Sequence, residues 1–241
     1  MQQAGSTPDR GRRVAFFGGS FDPPHRGHLA VARAAKSALE LDRVLFAPVG
    51  TQPLKTQGST ASFEDRLAMT RLAIAGEPGF EISLADAPKA EGGPNYSLET
   101  LEGLGRELAG GELYFLMGAD SFFGLRNWHR AAEIPFAATL IVASRPGQPL
   151  KGVKAALPAG LTMEAAEERS GMRAGVEVRV FELRNRAGER AAFYLLHGLD
   201  VRISASDVRE QLRAPAEEAA AARAWLPEAV REYVRVRGLY R

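Results

Sequence analysis

The chain has no cysteine among its 241 residues, which excludes disulfides, thiolate metal sites and thiol catalysis together. No apolar run approaches the roughly 18 residues that a membrane-spanning helix needs. The opening stretch, MQQAGSTPDRGRR, lacks the hydrophobic centre of a secretory signal, so the cytoplasm is the expected compartment and residues 1–13 read as a flexible tail. Charge of one sign is missing too: 31 Lys and Arg face 29 Asp and Glu, so neither nucleic acid nor a membrane is an expected partner. Histidine is scarce, at four residues. With no cysteine and no paired carboxylates near the histidines, no dedicated metal site is expected. What is present is ordinary globular material, 45% hydrophobic and 25% charged, in a chain long enough to bury a core.

Short apolar runs alternate with stretches of helical spacing, the pattern of a parallel sheet with crossover helices. Strands are predicted at Val14 to Phe17, Val44 to Ala47, Leu113 to Met117 and Leu140 to Ala143, with a weaker one at Glu81 to Leu84. Between them Leu29, Ala32, Ala35 and Leu39 recur at helical intervals, Ser62 with Asp65 resembles a helix start, and Ser97 can cap a helix through LETLEGLGREL. The expected class is α/β: a Rossmann-like doubly wound parallel sheet with C-terminal helices, in one domain over residues 14–241, its ligands at the carboxyl ends of the strands. From about 146 to 200 the sequence reads as an inserted segment. It has no clear period at first, then VEVRVFEL and AAFYLL joined by RNRAGER, which suggest a hairpin or two added strands. Three helical pieces close the chain, DVREQLRA, EEAAAARAWL and PEAVREYVRVRGLY, with Pro227 at a first-turn position.

The stretch VAFFGGSFDPPHRGHL carries the chemistry. Gly18 and Gly19 permit a tight turn and close approach of a ligand to the backbone, followed by Ser20 and Phe21. Pro23 and Pro24 delay the helix until about His25. His25 and His28 then share one face of its first turn, where unpaired N–H groups and the positive dipole end collect. That describes an anion pocket. A second reading has the two histidines capping the helix or filling a polar niche, and Asp22 reads as a structural residue that holds the loop.

GGSFDPPHRGHL resembles the first signature of the nucleotidylyltransferase superfamily, whose H-x-G-H element binds ATP phosphates. Pantetheine-phosphate adenylyltransferases and cytidylyltransferases share that element. Over nearly its whole length the chain is similar to bacterial nicotinate-nucleotide adenylyltransferases. APVGTQPLK resembles the family's loop ending in lysine, here Lys55; NYSLETL its helix start with a substrate-contacting threonine, here Thr100; and MGADSFFGLRNWH its strand end with Gly118, Asp120 and Trp128. ASRPG resembles the Arg-Pro turn with Arg145, ISASDVR the phosphate loop with Ser204, Ser206 and Arg209, and LPEAVREYVRVRGLY the closing helix. Gln52 and Leu54 stand where the family often has proline and histidine, and Ala205 and Ser206 replace Ser-Thr.

The resemblance implies attack of a mononucleotide phosphate on the α-phosphorus of ATP. It implies His25, His28, Lys55 and Arg209 as catalytic groups, and Gly18, Gly19, Ser20, Phe21, Gly118, Asp120, Arg145, Ser204 and Ser206 around ATP. Thr100, Trp128 and His129 fall to the mononucleotide, with Tyr96 and Arg126 close by in the chain. Magnesium is expected to arrive with ATP. Each assignment has a plainer counterpart: Lys55 solvated, Arg209 on a helix surface, Trp128 in the core, Asp120 as a helix cap. The expected substrates are ATP and nicotinate mononucleotide; nicotinamide mononucleotide or both, or a non-catalytic nucleotide-binding module, are the alternatives. A homo-oligomer is open. Pantetheine phosphate fits the Trp128 element poorly, and the chain is too short for the tRNA-binding domains of a class I aminoacyl-tRNA synthetase.

Overall fold

The computed structural model describes residues 12–54, 58–108, 110–144, 151–199, 203–214 and 224–241. Lys55, Arg145, nearly all of the predicted N-terminal tail and most of EEAAAARAWL lie outside the described residues. Nine strands are described: β1 (Arg13–Gly19), β2 (Arg43–Pro48), β3 (Phe80–Ile82), β4 (Glu112–Gly118), β5 (Thr139–Ala143), β6 (Thr162–Ala165), β7 (Gly171–Arg173), β8 (Val176–Arg184) and β9 (Arg190–His197). They form one sheet in the order β3-β2-β1-β4-β5-β9-β8-β6, with β7 paired to β8. The six strands from β3 to β9 run parallel. The remaining pairings, β9 with β8 and β8 with β6 and β7, are antiparallel.

Strict alternation along the central strands covers both faces of the sheet. Ala15 and Phe17 of β1, Tyr114 and Leu116 of β4, and Tyr194 and Leu196 of β9 enter one apolar cluster. Phe16, Leu113, Phe115, Met117, Phe193 and Leu195 enter the other. Helix α1 (Arg26–Ala38) lays Leu29, Val31, Ala32 and Ala35 on the first face. Helices α3 (Ser97–Glu107), α4 (Ala119–Gly124) and α5 (Ile134–Ala137) cover the second through Leu98, Leu101, Phe122 and Ile134. The result is a doubly wound, Rossmann-like α/β fold. Its strand order reverses between β1 and β4, where such sheets open a crevice at their carboxyl ends.

A third cluster lies beside the sheet, where α2 (Phe63–Ile74), α7 (Ala205–Arg213) and a C-terminal helix, α8 (Glu228–Arg237), meet through Met69, Val208, Val230 and Val234. A short helix, α6 (Lys151–Ala155), completes the set described.

The four main predicted strands lie inside β1, β2, β4 and β5. Four local expectations are corrected. β3 starts one residue early and ends at Ile82, because Ser83 N–H turns to the carbonyl of Phe46 at 2.9 Å and Leu84 is left exposed. The cap of α3 is Tyr96, with Ser97 already helical. Pro227 caps α8 from outside, its carbonyl accepting from Arg231 N–H at 3.0 Å. AAFYLL is more than the second arm of a hairpin, for β9 pairs with β5 along its other edge. Four consecutive large residues, Phe193 to Leu196, demand cover on both faces, and only an interior strand supplies it.

Phe193 is fully buried, stacked on Phe122 at 5.3 Å and against Phe181 at 5.6 Å. Phe193→Ala is expected to cost about 3–5 kcal/mol in urea unfolding. A loss below about 1 kcal/mol would place β9 at a yielding margin instead.

Candidate active site

The crevice at the β1/β4 switch is a cavity of about 740 Å³. One end is built on the loop after β1. Gly18 and Gly19 are the last residues of that strand, paired with Ala47 and Pro48, and are not the turn expected of them. The left-handed residue is Phe21, at φ 46°. Its ring, 1% exposed, is held by Phe17 at 5.5 Å, Phe46 at 5.6 Å and His28 at 5.0 Å, packing that offsets the strained backbone. What glycine supplies at position 18 is room: a Cβ there would come 2.9 Å from the Phe16 ring.

Asp22 is the anchor of this loop. Its carboxylate, 3% exposed in the fold, accepts from Thr60 N–H at 2.6 Å, Ala61 N–H at 3.1 Å and the Tyr240 hydroxyl at 2.7 Å. Beside it the buried guanidinium of Arg66 donates to the carbonyls of Ser20 at 2.8 Å, Val49 at 2.8 Å and Ala61 at 3.3 Å. Three chain segments, after β1, after β2 and before α2, are thereby tied to one residue of α2. Burial pulls the Arg66 pKa down while Asp22, Tyr240 and Glu64 oppose it; a guanidinium starting so high stays charged.

His25 caps α1 and His28 sits one turn on. Their rings stack at 3.7 Å with 27° between planes. His25 N–H donates to Nδ1 of His28 at 3.1 Å, so a neutral His28 carries its proton on Nε2 and presents a donor there. Capping and cavity lining are therefore one arrangement, since both imidazoles also face the cavity. Burial, then the neighbouring His25, push the His28 pKa well below the histidine range.

From the far end of the chain, α7 brings Ser204, Ser206 and Arg209 to the same wall. Ser204 caps the helix by accepting from Asp207 N–H at 3.1 Å. Arg209 donates to the Asp22 carbonyl at 2.7 Å and to Ser206 Oγ at 3.2 Å, and its guanidinium lies 4.0 Å from the Asp22 carboxylate. Two imidazoles, a guanidinium, hydroxyls and two helix starts facing one space can hold a polyanion.

The opposite end is aromatic. Trp128, half-buried against Phe115 at 6.1 Å, lines the cavity with His129, and His129 packs on Tyr96 at 4.4 Å. Gly118 at the end of β4, Asp120 in the first turn of α4, and Ser20, Gln52 and Leu54 also line the cavity. Thr100 does not line the cavity. Its hydroxyl donates to Asp86 at 2.5 Å, and Asp86, buried, does line it, as does Ser97 at the first turn of α3. Burial raises the Asp86 pKa against the lowering by Thr100 and Lys89. Arg126 is exposed and away from the cavity.

Sequence reading missed Asp86, Asn95 and Gly50. Asn95 accepts from Thr51 N–H at 2.9 Å and donates to the Ala87 carbonyl at 2.9 Å. A Cβ on Gly50 would lie 2.6 Å from Pro88 N, so the two loops close on each other only with glycine there. The G-T pair after a strand and N-Y before a helix were the available signals, and neither says that the loops touch.

A family model described as cytidylyltransferase-like matches residues 16–211. A "probable nicotinate-nucleotide adenylyltransferase" of Gloeobacter violaceus is 38% identical over 230 residues, covering 95% of this chain and 97% of the relative. One of the same description from Thermomicrobium roseum is 36% identical, covering 95% and 92%. Among solved structures, the Plasmodium falciparum nicotinic acid mononucleotide adenylyltransferase complexed with NaAD superposes with a TM-score of 0.68 at 14% identity, over 95% of this chain and 97% of that one. That likeness is one of fold.

The His28 shift has a signed consequence. With a folded pKa below the unfolded value of about 6.5, His28 contributes stability that is complete above that value and lost as pH falls toward the folded pKa. Urea stability of the wild type should therefore drop more between pH 7.5 and 5.5 than that of His28→Gln. Equal drops would show that His28 is not held neutral.

Proposed function

The chain belongs to the cytidylyltransferase-like family and, within it, to the nicotinate-nucleotide adenylyltransferases, and on that premise we propose that it joins ATP and nicotinate mononucleotide into nicotinate adenine dinucleotide and pyrophosphate, a step of NAD biosynthesis. The observation that carries the reading is the convergence of His25, His28 and Arg209 on one cavity whose other end is aromatic.

An oxygen of the mononucleotide phosphate forms a bond to the α-phosphorus of ATP as the bond from that phosphorus to the bridging oxygen breaks, and pyrophosphate leaves with the electron pair. The nucleophile needs no strong base, because a phosphate monoester with a second pKa of about 6 is already anionic at neutral pH. What the protein supplies is alignment and charge. His28 Nε2, His25 and Arg209 face the phosphates, Ser204 and Ser206 add hydroxyls, and the strand end at Gly18 and Gly19 lets the nucleotide approach the backbone. Arrival of the polyphosphate raises the His28 pKa, so binding takes up protons. Lys55 and Arg145, which follow β2 and β5 in the sequence, keep their proposed roles in this reading.

Asp120 accepts from the ribose of the adenosine. Trp128 stacks on the pyridine ring, and His129, Ser97 and the N–H groups of the first turn of α3 lie at the ring's carboxylate. Thr100 serves through Asp86. The side chains facing the phosphates are donors, and among the described residues no three His, Cys, Asp or Glu side chains gather as a cation site. Magnesium therefore fits as an ion held by phosphate oxygens and water, and when bound it neutralises phosphate charge. A cytoplasmic location goes with the reading. Of the predicted tail, Arg13 already opens β1, and of the segment over about 146–200, β9 is an interior strand of the sheet and Leu199 lines the cavity; neither segment supplies a charged group to the transfer step in this reading.

The test is pyrophosphate release with ATP and magnesium, offered nicotinate mononucleotide, nicotinamide mononucleotide or pantetheine phosphate. Nicotinate mononucleotide should be turned over with the highest kcat/KM, and preference for either of the others overturns the substrate. His28→Ala should lower kcat about 10²–10³-fold in protein that, though less stable to urea, remains folded at pH 7.5. Trp128→Ala should raise the mononucleotide KM about tenfold and leave the ATP KM alone. Wild-type kinetics in either variant would remove that residue from the site.

A further inference from the structure

We infer that Tyr240, the penultimate residue of the chain, is a positioning residue for the transfer step: its hydroxyl holds Asp22, and through Asp22 the phosphate loop and Arg209. The inference rests on the adenylyl-transfer reading above. Helix α8 ends at Gly238 in the left-handed conformation, φ 63°, and Leu239 N–H returns to the Val234 carbonyl at 3.1 Å. That turn sends Tyr240, itself at φ 64° and 5% exposed, back under the loop after β1. A non-glycine residue rarely adopts this backbone, so the side chain must be fixed by what it reaches. Its side chain belongs to the buried cluster that also holds Met69 and Val208, and its hydroxyl donates to Asp22 at 2.7 Å across 218 residues of sequence.

The bond joins the end of the chain to the groups that meet the phosphates. Asp22 lies three residues before His25, and its own carbonyl takes the Arg209 bond at 2.7 Å. Val208, in the same cluster as the Tyr240 ring, adjoins Arg209 in α7. Burial and the Asp22 carboxylate push the Tyr240 pKa far up, so the phenol remains a donor at every working pH. Removing the hydroxyl leaves a buried carboxylate one donor short, and the loop must shift to recover it or admit water. A displacement of about an ångström at an aligned site costs up to about a hundredfold in rate. The aromatic end of the cavity hangs from other loops, through Asn95, Gly50 and α3, and has no share in this bond.

Tyr240→Phe keeps the ring and deletes the hydroxyl. It should fold, lower kcat about ten- to a hundredfold, and leave the mononucleotide KM at its wild-type value. Arg209→Lys should add little further loss in the Tyr240→Phe background, because both act on one arrangement. Leu239→Ala, which trims packing of the same tail, should lower Tm and keep kcat. The inference is overturned by wild-type kcat in Tyr240→Phe, by a parallel rise in the mononucleotide KM, or by an equal kcat loss in Leu239→Ala. Should Tyr240→Phe not fold, Asp22→Asn reads the same bond from the acceptor side: a kcat loss at constant mononucleotide KM supports the role, and wild-type kcat ends it. No product from the wild type would instead count against the proposed function. Calorimetric affinity for a non-hydrolysable ATP analogue then makes the comparison, weaker in Tyr240→Phe if the inference holds and equal if it does not.

Discussion

A carboxylate taken out of water costs several kcal/mol unless it is fully partnered, and Asp22 is the carboxylate on which this molecule's site is assembled. Two backbone N–H groups from the segment before α2, the hydroxyl of Tyr240, and the guanidinium charges of Arg66 and Arg209 surround it. The partners come from the segment running into α2, from α7 and from the residues after α8, so none of these parts can move without leaving the charge short of compensation. The tightness of the histidine end is therefore electrostatic in origin. Arg66 repeats the device with the sign reversed, a buried cation satisfied by three carbonyls of the loops that frame the cavity.

The two ends of the cavity follow different physics. At the histidine end, charged groups and hydrogen-bond directions set the positions of the side chains. At the Trp128 end, aromatic rings rest on one another, Trp128 on Phe115 and Tyr96 on His129, and such contacts tolerate small shifts. A transfer reaction needs this division: the reacting phosphates must be aligned, whereas a flat ring need only be covered. The close approach of Gly50 to Pro88 and the bonds of Asn95 to Thr51 and Ala87 join the loop after β2 to the loop before α3.

Much of this was legible in the sequence wherever the cause was local. The four central strands follow from apolar runs, the Ser62–Asp65 and Ser204 caps from helix-start chemistry, and the His25–His28 pairing from a three-residue spacing after two prolines. The structural reading of Asp22 held as well. What was not legible was produced by distant segments meeting. Nothing in R-G-L-Y-R says that the tyrosine will reach a loop 218 residues earlier, and nothing in the α2 sequence marks Arg66 as buried. Thr100 and Ser97 look alike as hydroxyls three apart on one helix; which of them faces the cavity depends on the helix's rotation about its own axis, which the far face of the sheet decides. The glycines after β1 were read as a turn because glycine permits one, yet the packed rings of Phe17 and Phe46 hold Phe21 in that conformation instead.

Under the proposed function, one polyphosphate chain is gripped at once by groups from the start of α1 and from α7, which line one cavity beside Asp22. A crystal structure of the protein with magnesium and a non-hydrolysable ATP analogue tests it most directly. Phosphate oxygens are expected within hydrogen-bonding distance of His28 and of the Arg209 guanidinium in the same molecule, with the Asp22 bonds intact. Phosphates bound by only one of these two groups, with the other turned away from the nucleotide, would contradict it.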